Sequence, residues 1–153
     1  MQNMERITAE LEIRRLTALY SQAVVRRDAA AAAQTYAIDG VLTAFYAPDI
    51  VGRQAIAETL ASALLPLQFI CQSASAGVID IQGDQASATW SITEHYKFKD
   101  REELGCCFGI YEDSLSRFPE GWRFTHRRFI PFYRGTTPSH GKAYPAYLSL
   151  IHI

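Results

Sequence analysis

The sequence predicts an α+β domain in which three helices come first and four long antiparallel strands follow. Two observations carry this. Up to Leu65 apolar residues recur at three- and four-residue spacing, and beyond about residue 69 they alternate. The length of 153 residues, with 48 % hydrophobic and 20 % charged, suits one domain with a real core and excludes a disordered chain.

Residues 5–27 read as the first helix, through Ile7, Leu11, Ile13, Leu16, Tyr20 and Ala23. Asp28 then stands before Ala29 to Ala33. Asp is a good N-cap and Ala the best helix former, so a second short helix is expected over 28–37. Asp39-Gly40 reads as a turn, Val41 to Tyr46 as a strand, and Ala47-Pro48-Asp49 as its close. Gly52 to Leu65 returns to helical spacing through Ile56, Leu60 and Leu64, and Pro66 ends it. Four strands follow: 69–81, 85–99, 104–118, and from Pro119-Glu120-Gly121 to about Arg134. Strands this long must bend or carry bulges. A tail, 135–153, is rich in turn formers and apolar again from Ala143, which suits packing on the domain or on a second copy. The expected organisation is one domain over 1–153, with its core at about 5–134.

Fifteen Lys and Arg against sixteen Asp and Glu leave a net charge of −1, which predicts no pull on nucleic acid or an anionic membrane. Acids at Glu5, Glu10 and Glu12 argue against a signal peptide. Thr59 to Ile79 is uncharged, but Ser62, Pro66, Gln68 and Gln72 interrupt it, so no membrane span is expected. Cys71, Cys106 and Cys107 form no disulfide framework and lack zinc spacing, and a cytoplasmic setting is the default. Cys106 or Cys107, one of which can face inward, reads as a small buried hydrophobe. No metal motif, phosphate loop or dinucleotide fingerprint is present, so neither metal nor cofactor is expected.

The order of elements, the Leu19-Tyr20 pair, the segment Tyr36 to Asp39 and the closing run Gly121 to Phe129 resemble the SnoaL-like branch of the nuclear-transport-factor-2-like superfamily, over residues 5–134. The resemblance implies an α+β cone, with helices on a strongly curved, mostly antiparallel sheet, a hydrophobic pocket between them, and a homodimer. It implies a cofactor-independent lyase, isomerase or cyclase acting by proton transfer on a small hydrophobic cyclic or polyketide-like molecule. Two alternatives stay open: a binding protein with the same pocket, and a small subunit associated with a ring-hydroxylating oxygenase. Enzymatic relatives use an Asp near the end of the first helix, fourteen residues before the acid that ends the second. Counting back from Asp39 reaches Val25, which cannot take a proton. A shift of three residues would bring Asp28 there, where it also reads as a cap. The family's His before the first meander strand falls on Gln68, which could orient a ligand through its amide but does no acid–base work.

Among residues present, Glu94 shares strand parity with Trp90, Ile92, Tyr96 and Phe98. If that face is interior, Glu94 is an acid in apolar company, as a general base near neutrality requires. The alternative is an ion pair with a neighbouring strand. His126 shares parity with Trp122, Phe124, Arg128 and Ile130, and is expected to act as general base or acid with Glu94 orienting it. On this reading both line one cavity, and Tyr96 or Arg128 stabilises the developing oxyanion. The opposite parity, Arg123, Thr125, Arg127 and Phe129, reads as solvated. Tyr20, Tyr46 and Tyr111 are further candidate phenolic donors, and Trp90 a wall of the pocket.

Overall fold

A computed structural model describes residues 2–137. Its elements are α1 (Gln2–Val25), α2 (Ala29–Ala33), β1 (Tyr36–Ala44), β2 (Ala47–Val51), α3 (Arg53–Leu64), β3 (Leu67–Ala74), β4 (Val78–Gln82), β5 (Gln85–Phe98), β6 (Leu104–Phe118) and β7 (Gly121–Thr137). The expected contribution of the tail lies almost wholly outside the described residues.

The strands form one sheet in the order β2-β1-β7-β6-β5-β3, with β4 also on β5. All pairings are antiparallel except β1 with β7. The helices cover the concave face, as an α+β architecture requires. On α1 the buried stripe runs through Ala9, Ile13, Leu16, Tyr20, Ala23 and Val24. Ile7 and Leu11, two positions out of phase with it, are exposed. The helix ends on Arg27 at φ 58°, where the Asp28 amide returns to the Ala23 carbonyl and closes the last turn. Asp28 accepts from the Ala31 amide at 2.9 Å, so it caps α2.

Four expected elements differ. The second helix stops at Ala33, and Tyr36 to Asp39 belong to β1. Asp39-Gly40 is no turn: β1 runs on, with an irregular register against β7 between Tyr36 and Val41. A Cβ on Gly40 would stand 2.9 Å from the Phe124 carbonyl oxygen, so glycine lets the two backbones close up. Ala47–Val51 continues as a strand paired with β1, and the 69–81 stretch is two strands separated at Ser75–Gly77.

The regular alternation of β5 survives: Ala86, Ala88, Trp90 and Ile92 are buried, and the residues between are exposed. β7 behaves otherwise. Leu115 faces Phe124 and Ser114 faces His126, leaving Thr125 as an extra residue; a second bulge leaves Phe132 extra between Pro131 and Tyr133. Each bulge exchanges the faces. Trp122 and Phe124 point into the core, and beyond Thr125 it is Arg127 and Phe129 that turn inward.

Candidate active site

The concave face and the helices enclose a cavity of about 270 Å³. Tyr20 and Val24 of α1, Leu60 and Leu64 of α3, and Leu67, Ile70 and Gln72 of β3 form one side. Glu94, Tyr96 and Phe98 of β5, Cys107 and Tyr111 of β6, and Phe129 and Arg134 of β7 form the other, with Leu42, Phe45 and Tyr46 at the β1 end. Gly105 faces Tyr96, and a Cβ there would overlap the tyrosine ring, so glycine makes room for that wall.

Glu94 is the one acid among the described residues that line the cavity. It stands in a row across the sheet, Gln72–Glu94–Cys107–Arg134, set by the register of four strands. Gln72 Nε2 donates to Glu94 Oε1 at 2.7 Å and to Tyr111 Oη at 3.0 Å, and Ser21 Oγ donates to Gln72 Oε1 at 3.0 Å. Burial pushes the Glu94 carboxyl above the ordinary carboxylate range, against the opposing pull of the Gln72 bond and the Arg134 charge. Burial and the Glu94 charge push the Cys107 thiol up to about 11, so at neutral pH it stays protonated. Burial likewise raises Tyr20, Tyr46 and Tyr111, and keeps each phenol a hydrogen-bond donor.

Beneath the cavity floor lies a buried ion pair. Arg127 Nε and Nη2 each reach an Asp113 oxygen at 2.7 Å, and Trp90 Nε1 donates to Asp113 Oδ2 at 2.9 Å. The guanidinium carbon stands 3.8 Å from the Phe124 ring centre, 4.1 Å from that of Tyr111 and 4.6 Å from that of Tyr20. Burial works against the Arg127 charge, but Asp113 more than offsets it and the pKa is raised.

Several expected site residues stand elsewhere. His126 does not line the cavity. Its Nε2 lies 2.8 Å from Thr43 Oγ1. Since Thr43 gives its one proton to Asp49 Oδ1 at 2.7 Å, His126 Nε2 carries the proton and donates. Arg128 is exposed and pairs with Glu112 at 3.0 Å. The Thr125 bulge is the reason for both, and it also buries Arg127, which the alternation had placed in solvent. Neither His126 nor Arg128 touches Glu94 among the hydrogen bonds and ion pairs of the described residues. Gln68 is exposed on β3, and Gln72, four residues on, is the amide that reaches the cavity. Trp90 is buried behind the cavity wall as the partner of Asp113. Tyr20, Tyr46, Tyr96 and Glu94 do line the cavity, as does Tyr111. Cys107 faces inward and Cys106 does not. Gln72 carried the same signal as Glu94: a polar residue at the interior parity of its strand, with Ile70.

Among the described residues no group of His, Cys, Asp and Glu could hold a metal ion, and no helix is long and apolar enough to cross a membrane.

Comparison with solved structures finds the same fold widely. A hexachlorocyclohexane dehydrochlorinase (LinA, type 2) superposes with a TM-score of 0.84 at 13 % identity, covering 95 % of this chain and 99 % of that one. A proposed scytalone dehydratase of Novosphingobium aromaticivorans gives 0.77 at 19 % identity, over 94 % and 93 %. An NTF2-like protein with a cystatin-like fold from the same species gives 0.69 at 19 % identity, over 86 % of each. No curated protein sequence matches. The profile of the SnoaL-like domain matches residues 5–128, most of the length and every element from α1 into β7. The chain therefore belongs to the SnoaL-like domain family.

Proposed function

We propose that this chain is a cofactor-independent lyase, isomerase or cyclase that moves a proton on a small hydrophobic cyclic or polyketide-like molecule, with Glu94 as the base. The observation that supports this best is the placement of Glu94: a carboxylate held through one oxygen at the wall of an otherwise apolar, aromatic cavity. A carboxyl whose proton affinity is raised by burial is better matched to a carbon acid near neutrality than an exposed one. The tyrosines around it supply neutral donors for an oxygen that gains charge. Two structural neighbours bear the names of a dehydratase and a dehydrochlorinase, which fits an elimination begun by loss of a proton.

The positions that match the Asp and His of the enzymatic relatives hold Val25 and Gln68, neither of which lines the cavity, and this favours a second reading, a binding protein that keeps the pocket. Hydrogen exchange separates the two. Small cyclic ketones and lactones are incubated with the protein in heavy water, and deuterium uptake next to the carbonyl is followed by NMR. The wild type is expected to accelerate uptake, E94Q to lose at least about tenfold, and H126A to keep its rate. Full exchange by E94Q would remove Glu94 as the base. Binding of the probes without exchange by the wild type would favour the second reading.

A further inference from the structure

We propose that Arg134 recognises the charge of the substrate, and that the substrate class is a cyclic molecule bearing a carboxylate, held by its two oxygens on the guanidinium with its ring over Cys107 toward Glu94. This rests on the reading above for the cavity being where the substrate lies, and deepens it by naming the substrate class.

The second bulge of β7 turns Arg134 into the cavity. Phe129 and Pro131 pair with the inward residues Tyr111 and Gly109 of β6, and a matched Phe132 would have sent Tyr133 inward after them. The extra residue instead pairs Tyr133 with Phe108, on which it stacks at the outer face, and sets Arg134 opposite Cys107 on the inner one. Arg134 is the one cation among the described residues that line the cavity. Phe45 beside it is 44 % exposed, so the cavity is open at this end. The guanidinium carbon stands over the Phe45 ring, 4.3 Å from its centre. A guanidinium stacked by its face keeps its in-plane N–H groups, and their fork matches the two oxygens of a carboxylate. Arg14, Arg101, Arg127 and Arg128 each pair with an acid, whereas Arg134 pairs with none among the described residues.

The spacing suits a ring between the two charges. Arg134 and Glu94 lie two strands apart, about 10 Å between backbones, with Cys107 between them. Cys107 is small, and its thiol, pushed up to about 11 by burial, stays neutral and adds no repulsion to an anion. Glu94 does repel one, but from the far end of the row, while Arg134 meets it directly. Leu60, Leu64, Phe98 and Phe129 are apolar walls that take the ring. Burial raises the Glu94 carboxyl, and the Gln72 bond and the Arg134 charge oppose that rise. A carboxylate seated on Arg134 cancels the opposing charge, so the filled site holds a stronger base than the empty one.

The test compares a carboxylate with its neutral amide. 2-Naphthoate and 2-naphthamide have nearly the same shape and differ in charge. Calorimetry at neutral pH should show the wild type binding naphthoate at least about tenfold more tightly than naphthamide, the scale of one hydrogen bond between charged groups. The two probes should compete, because their rings fill one cavity. Added sodium chloride should weaken the binding of naphthoate alone. R134M removes the fork and keeps an unbranched side chain, so it should erase the preference and leave the affinity for naphthamide unchanged. Circular dichroism checks the fold, and if R134M does not fold, R134Q is read in its place with the same two outcomes. A preference that survives in the variant, naphthoate that does not compete with naphthamide, or a wild type that binds naphthoate no more tightly than naphthamide would overturn the proposal. Deuterium exchange into neutral ketones does not call on Arg134. It can succeed where this test fails, or fail where this test succeeds, so the failure of this proposal is distinguishable from failure of the reading beneath it.

Discussion

Replacing Asp113 by Leu is expected to cost about 3–5 kcal/mol, because it strands a buried guanidinium. The side chains of Asp113 and Arg127 are both 0 % exposed. Asp113 supplies both hydrogen bonds that the guanidinium makes among the described residues, and Arg127 Nη1 is already without one. Each charge-assisted bond is worth about 1.5–3 kcal/mol, so losing two gives about 3–6 kcal/mol, which overlaps the general value for breaking a buried pair. Trp90 Nε1 loses its acceptor as well. Against a total stability of about 5–15 kcal/mol this is a large fraction. At roughly 2–4 °C per kcal/mol for a chain of this size, the melting temperature should fall by about 6–20 °C. The assay is thermal unfolding by circular dichroism on D113L, R127M and the double variant. The double variant should recover most of the loss, since an apolar pair of similar volume can replace a buried ion pair at little cost. What it does not recover is the orphaned Trp90 N–H, about 1–3 kcal/mol. The reasoning is refuted if D113L melts within a few degrees of wild type, or if the two single losses simply add in the double variant.

The pH dependence of exchange should follow Glu94: activity appears as pH rises through a midpoint above the ordinary carboxylate range, because burial favours the protonated form. The same raised pKa means that Glu94 favours the folded state at low pH and that this contribution is lost as pH rises through the folded value, so E94Q is expected to melt no lower than wild type at pH 8. Thiol labelling at pH 7.5, read by peptide mass spectrometry, should modify exposed Cys71 well before Cys107, whose thiol is held up to about 11; equal rates would contradict the burial of Cys107. Sedimentation at micromolar concentration is expected to give about twice the chain mass. Exposed Phe132 and Tyr133, with Tyr133 stacked on Phe108 of β6, offer an apolar surface for pairing, and a monomer would defeat this expectation.

The class of fold, the order of helices and strands, the cap at Asp28 and the grouping of residues on each face of β5 were legible in the residues alone. That strand alternates from Ala86 to Tyr96, so its parity grouped Glu94 and Tyr96 with Trp90 on one face, and the structure turns that face inward. The Tyr36–Asp39 segment and the Asp39-Gly40 pair misled because local turn propensity was overridden by pairing with β7, where Gly40 meets the Phe124 carbonyl. The decisive case is β7. Read alone it alternates Trp122, Phe124, His126, Arg128, which made His126 the base and Arg128 the oxyanion partner. An extra residue at Thr125 moves both to the far face and turns Arg127 into the core against Asp113. A bulge belongs to two strands at once: it exists only where the partner's register leaves one residue unmatched, and no window of a single strand contains that information. Gln72 became part of the site for the same reason, since the pairing of β3 with β5 sets it beside Glu94. Alternation along one strand settles which residues can share a face; only the assembled sheet, by its register and its bulges, decides which of them meet.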